Sequence, residues 1–187
     1  MILILNGSFG VGKTTVARLL RRQITGSRLY NPEWTGSILM RLPPSLIKLD
    51  GCGTDDFQDI DLWRKSVVRG TKIFRAFARN GTVIVPMAFS SRDYFDEIVG
   101  GIGEFDNEVK IYCLKAEMPT ILKRLEKRGE KIGGGEETNW VVRKAQECIE
   151  AHTDANFGEA VNTEGVTADE VASEILRRIK YTNTFAK

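Results

Sequence analysis

Near the start of the chain, Gly7-Ser8-Phe9-Gly10-Val11-Gly12-Lys13-Thr14 fits G-x-x-x-x-G-K-[ST] at every fixed position. Such a loop binds phosphate. Its glycines let the backbone wrap with N–H groups turned inward, and the positive end of the following helix dipole adds to the attraction for anions. Lys13 then reaches the β- and γ-phosphates, Thr14 offers its hydroxyl to Mg2+, and Thr15 follows in the first helical turn. The motif carries weight only between a strand and a helix. Here Ile2 to Leu5 read as a short strand buried on both faces, and Val16, Leu19 and Leu20 repeat at helical spacing after Lys13. A Gly-rich turn with an exposed lysine does not account for the whole pattern in this register.

A second set of residues could act on what receives the phosphate. Ligands of open parallel sheets sit beyond the carboxyl ends of the strands. After the second strand comes Asn31-Pro32-Glu33, where the Glu33 carboxylate could act as general base for a hydroxyl acceptor or assist magnesium, or simply favour the first turn of a helix after a proline. After the third strand, Pro86-Met87-Ala88 stand where many P-loop NTPases carry a magnesium aspartate. Metal would then rest on Thr14, phosphates and water, with outer-sphere help from Asn31 or Glu33. The acidic stretch Gly53 to Arg64 suits an acceptor site, with Arg64 as its anchor and Trp63 either beside it or in the core. His152 stands alone and receives no role.

The elements that must hold these residues alternate strand and helix, which implies a parallel sheet with crossover helices. Strands are expected at Ser27 to Tyr30, Thr82 to Met87, Glu108 to Leu114 and Glu159 to Asn162. Helices are expected at Asp59 to Arg79, stopped by Asn80-Gly81, at Ser91 to Val99, from Pro119 through Arg128, and from about Glu137 to Ala151. Thr167-x-x-Glu170 reads as a capping box for a final helix. "RGEKIGGGEETN", Arg128 to Asn139, has glycines and charges without an apolar period, as a flexible loop would. It lies between a helix presenting Arg124 and Arg128 and one presenting Arg143 and Lys144. A solvated linker fits that composition; so does a lid, residues 129–143, that closes arginines over phosphate.

Bulk properties narrow the field. The 187 residues suit a single domain with no repeat or linker, and a net charge of +2 without a basic block speaks against nucleic acid. Cys52, Cys113 and Cys148 are far apart, as reduced thiols would be, and no apolar run approaches a membrane span. A cytoplasmic, soluble protein with small-molecule partners and no stable membrane insertion is expected; the oligomeric state is open. Asp50-Gly51-Cys52-Gly53 mimics a GTPase D-x-x-G, but no N-K-x-D follows.

"NGSFGVGKTT", "YNPEWTG", "DDFQDIDLWR", "VIVPM", "LKRLEKR" and "NWVVRKAQECI" occur in the order found in the tunicamycin resistance proteins, a branch of the P-loop nucleoside and nucleotide kinase-like superfamily, and the chain resembles that family from Met1 to about Ile179. The resemblance implies a three-layer α/β fold, a five-stranded parallel sheet in the order 2-3-1-4-5, ATP binding, an arginine lid, and protection against the nucleoside antibiotic tunicamycin by binding or phosphorylating it. The family's D-P-E falls on Asn31-Pro32-Glu33, so an amide replaces the aspartate. By similarity to related small-molecule kinases, Arg124 would lie against adenine, Arg128 would contact phosphate and Arg143 would be a second lid arginine. The chain ends at Lys187, before the extension associated with membrane attachment in the family. Three readings stand: an ATP-dependent phosphotransferase on a nucleoside-like acceptor, with Asn31, Glu33 and Arg64 at the acceptor and an apolar path from Trp34 through Leu42 to Leu46 and Ile47; a housekeeping nucleotide or shikimate-type kinase; and a binding protein that sequesters its ligand without turnover.

Overall fold

In the computed structural model, which describes residues 1–39, 41, 56–78, 81–130, 132, 136–153 and 157–184, the strands β1 (Ile2–Gly7), β2 (Arg28–Leu29), β3 (Val83–Pro86), β4 (Val109–Lys115) and β5 (Glu159–Asn162) form one parallel sheet. Its order is β2-β3-β1-β4-β5. The helices are α1 (Lys13–Gln23), α2 (Glu33–Leu39), α3 (Asp61–Ala78), α4 (Arg92–Gly103), α5 (Met118–Lys127), α6 (Glu136–Ala151) and α7 (Ala168–Thr184). A single 3-10 turn, Phe57–Asp59, precedes α3.

The central strand shows how sequence becomes layers. Side chains alternate across a strand. Ile2 and Ile4 therefore enter the core shared with Trp63 and Val67 of α3 and Phe95 and Ile98 of α4. Leu3 and Leu5 enter the opposite core with Val16 and Leu20 of α1 and Val171 and Ile175 of α7. All four are fully buried, each stabilising the fold by roughly 1.5–3 kcal/mol. A third, smaller cluster joins Ile121 and Leu125 of α5 to Ala145 of α6, with Phe9 of the phosphate loop against it. β1 thus ends in the middle of the sheet, between β3 and β4, and delivers the loop at the crevice.

Two sequence expectations need correction. Helix α4 runs to Gly103 although Gly100 and Gly101 follow Val99; a Cβ on Gly101 would lie 3.1 Å from Val68 Cγ2, and Ile102 is buried. Close packing on α3 offsets the cost of about 1 kcal/mol per helical glycine. Helix α6 begins at Glu136, within one residue of its expected start, so residues 136–139, read also as the end of the loop, belong to the helix. The capping box forms as read: Thr167 N–H donates to Glu170 Oε2 at 2.7 Å and Glu170 N–H to Thr167 Oγ1 at 3.3 Å. The D-x-x-G mimic at 50–53 and the apolar residues Met40, Leu42, Leu46 and Ile47 lie outside the described residues.

Candidate functional site

The phosphate loop joins β1 to α1. Gly12 is the N-cap of α1, in a left-handed conformation (φ 109°) with no side chain to occupy the first helical N–H groups, and a Cβ there would meet nothing within 4 Å. Those donors and the space above them are what a phosphate requires. Gly10 serves a different end: a Cβ on it would lie 2.9 Å from Leu125 Cγ, so its glycine lets the loop pack on α5. Lys13 is buried, and its Nζ donates to the carbonyls of Gly7 and Ser8, each at 2.9 Å. Burial pulls its pKa below the ordinary lysine value, while the Glu33 carboxylate pulls it back up. Glu33 is therefore close enough to feel the loop cation.

A cavity of about 750 Å³ opens here, lined by Phe9, Gly10, Val11, Gly12, Lys13, Thr14 and Thr15 together with Glu33, Arg124 and Arg128. Gly7 and Ser8 form the loop's inner wall through the carbonyls that hold Lys13. The Arg124 guanidinium is locked in place, donating to Val11 O at 3.0 Å and to Thr163 O at 2.6 Å and Oγ1 at 3.0 Å. It ties α5, the loop and the segment after β5 into one wall. Arg128 caps the end of α5 and faces the same cavity. Asn31 uses its side-chain oxygen to accept the Glu33 N–H at 3.1 Å, so it starts α2 as an N-cap with Pro32 next. That capping role was legible in "NPE" and orients Glu33.

Other expected site residues lie elsewhere. Arg64 does not line this cavity: its Nε donates to Glu97 Oε2 at 2.6 Å, its Nη1 to Gln58 O at 2.7 Å, and it stacks 4.5 Å from the Tyr94 ring centroid. Trp63 is core, 2 % exposed, with Nε1 donating to Pro32 O. Arg143 sits 3.7 Å from Glu147 on the half-exposed side of α6, and Lys144 is held by Glu147 at 2.8 Å and by buried Asp56 at 3.2 Å. After β3 the chain stays buried and apolar through Met87, Ala88 and Phe89, with no carboxylate in that position. Among the described residues no group of three His, Cys, Asp or Glu could hold a metal. Thr14 lines this cavity and, with Asn31, the neighbouring one.

A buried polar network beneath the loop went unread in the sequence. Asn6 Oδ1 accepts from Gly7 N at 2.7 Å and Phe89 N at 3.1 Å, fixing the strand end to the segment after β3. His152 Nε2 lies 2.7 Å from Phe89 O and must carry the proton, since a carbonyl only accepts. The Asn6 amide nitrogen, 3.3 Å from that ring nitrogen, donates to Phe157 O at 3.3 Å. Burial pushes the His152 pKa down to about 4, so the ring is neutral. Cys113 and Cys148 are buried thiols, raised to about 11 and about 12 by the same desolvation; neither is a nucleophile.

This strand order, with a complete phosphate loop at its crevice, defines a P-loop kinase-like protein, and nucleotide binding goes with it. The AAA domain family matches residues 2–149, and the chain belongs to it. In fold it is similar to the tunicamycin resistance protein of Deinococcus radiodurans (TM-score 0.72, 21% identity, 96% of this chain and 95% of that one). It is also similar to a gluconokinase from Sinorhizobium meliloti (0.62, 18%, 98% and 95%) and a shikimate kinase from Bacteroides thetaiotaomicron (0.64, 12%, 96% and 98%). No curated protein matches the chain. Among the described residues no helix is long and apolar enough to cross a membrane.

Proposed function

We propose that this protein is an ATP- and magnesium-dependent phosphotransferase acting on a hydroxyl of a small nucleoside-like molecule, tunicamycin being the first compound to try. The observation that carries the reading is the shared cavity: a phosphate loop with Lys13 buried at its centre, and the Glu33 carboxylate on the same wall. Bound ATP would supply the transferable γ-phosphoryl group, with its magnesium held through Thr14 Oγ1 and water.

Each side chain then has a task. The loop N–H groups and Lys13 neutralise phosphate oxygens where charge gathers. Arg124, fixed by Val11 and Thr163, offers a flat cationic surface at the edge of the cavity, and Arg128 faces the phosphates. Glu33 takes the acceptor hydroxyl proton as that oxygen bonds to phosphorus and the bond from phosphorus to the ADP oxygen breaks. Arg143 acts only after leaving Glu147, which makes it a second cation brought from α6 once ATP is bound.

The test is a mass measurement of tunicamycin, gluconate, shikimate and plain nucleosides after incubation with ATP and Mg2+. A phosphorylated product with matching ADP, lost in Lys13→Ala, supports the reading. Phosphorylation of a plain nucleoside or of shikimate alone makes it a housekeeping kinase. The absent carboxylate after β3 favours one alternative, ATP-dependent sequestration. Tunicamycin bound without ADP or product, and with Glu33 dispensable for resistance, establishes that instead.

A further inference from the structure

A second cavity, about 570 Å³, runs along the flank of α1 beside the one just described. Its walls carry Arg18, Arg21 and Arg22 from α1, Trp34 from α2 and Asn31 from the turn before it. Thr14 and Arg18 line both cavities, and the adjacent residues Glu33 and Trp34 face one each, so the two spaces meet beside the reacting end of the phosphate site. Three features set this cleft apart. No acidic side chain lines it among the described residues. The three guanidinium groups make no hydrogen bond or ion pair with a described residue, although they repel one another at spacings of three and four along the helix. Trp34 is 72 % exposed, a large apolar surface left uncovered next to them.

The helix dipole accounts for Arg21 and Arg22 in the last turn of α1. It does not account for Arg18 in mid-helix, for the cleft, or for the bare indole. Together these match a ligand with an acidic group for the arginines and a flat or apolar body for the indole. Position sets its length. With a helical rise of about 1.5 Å per residue, Arg18 stands roughly 6 Å and Arg22 roughly 12 Å along the axis from Thr14.

We infer that this cleft seats the acidic end of an elongated acceptor, a phosphate or carboxylate placed roughly 6–12 Å from the hydroxyl presented at Thr14 and Glu33. The inference rests on the phosphotransferase reading for the hydroxyl, not for the binding of the acid. It narrows the proposed acceptor to one that carries an acid, a nucleotide-like or sugar-acid compound, and ranks uncharged nucleosides such as tunicamycin below it, since they would leave the arginines unmatched.

The experiment titrates the full chain, with Mg2+ and a non-hydrolysable ATP analogue present, against matched pairs of a neutral compound and its acid: uridine and uridine monophosphate, glucose and gluconate. Tryptophan emission is followed in a Trp140→Phe background, and because Trp63 remains, a Trp34→Phe control identifies the part of the change that comes from Trp34. The acidic member of at least one pair is expected to bind roughly tenfold or more tightly than its neutral partner and to perturb that emission, as charge-assisted contacts predict. The preference should shrink as salt rises and fall below about threefold in Arg21→Gln/Arg22→Gln. ATP-analogue binding, unchanged in that variant, shows it is folded. Equal binding within every pair overturns the inference, as does a preference that survives the double substitution. If the preference holds and falls as stated while no compound is ever phosphorylated, the cleft stands and the phosphotransferase reading fails. If a neutral acceptor is phosphorylated at the same rate by wild type and double variant, that reading stands and the cleft fails.

Discussion

At the phosphate loop two cations, Lys13 and Arg124, are held, whereas the three along the flank of α1 are not. Lys13 has two carbonyls at 2.9 Å and Arg124 is fixed at three points, so both are in place before a ligand arrives. Arg18, Arg21 and Arg22, a few residues further on, make no such contacts with the described residues. A site for a constant group, such as a polyphosphate, gains from being preorganised, because little ordering remains to be done on binding. Arginines without partners wait for charge from outside.

The largest break in that comparison should come at its most tightly held member. Lys13→Ala removes the cation at the centre of the loop, and titration should detect no ATP binding and no turnover; near-normal affinity would refute the phosphate site. Arg128→Ala should lower kcat by roughly 10³-fold with a smaller effect on ATP affinity, as arginines facing transferring phosphate do, measured by steady-state ADP release.

The platform under the loop supplies a pH test. His152 has its folded pKa at about 4 against 6.5 when unfolded. A depressed value means the unfolded chain binds the proton first, so stability is unaffected above pH 6.5 and is lost as pH falls from there towards 4. Near pH 4 this one group accounts for about 3 kcal/mol. Urea unfolding at pH 7 and pH 5 should show a smaller acid loss in His152→Gln than in wild type.

Glu33→Gln should leave ATP binding intact and reduce turnover by roughly 10²-fold, the usual range for a general base, and unchanged turnover would leave Glu33 as a residue of the α2 start. The smallest effect is the control. Thr167→Ala opens the α7 capping box, costing about 1 kcal/mol in thermal or urea unfolding while kcat stays constant.

The capping box, the phosphate loop and the buried central strand could be read directly because each is local. Periodicity and a few fixed spacings specify them, and tertiary packing only confirms the result. Asn6 and His152 could not be read that way. They are single polar residues 146 positions apart, and only the tertiary fold brings both onto Phe89, whose N–H donates to Asn6 and whose carbonyl accepts from His152. Arg64 illustrates the reverse: its position after an acidic segment suggested an acceptor anchor, yet Glu97, from a helix on the same layer, takes its guanidinium.

By itself, then, the sequence determined that a strand, a phosphate-binding turn and a helix open the chain, because backbone conformation and helix dipole depend on neighbours in line. It also determined the alternation that makes a parallel sheet; the order 2-3-1-4-5 came with the family resemblance. Only the tertiary structure decided which charges meet. It set Glu33 and Lys13 on one cavity, drew Lys144 away to Asp56, and lined a cleft with three arginines and an exposed indole. The reason is physical: a Coulomb interaction or hydrogen bond depends on distance and burial across elements far apart in the chain, and neither is written in the spacing of residues along it.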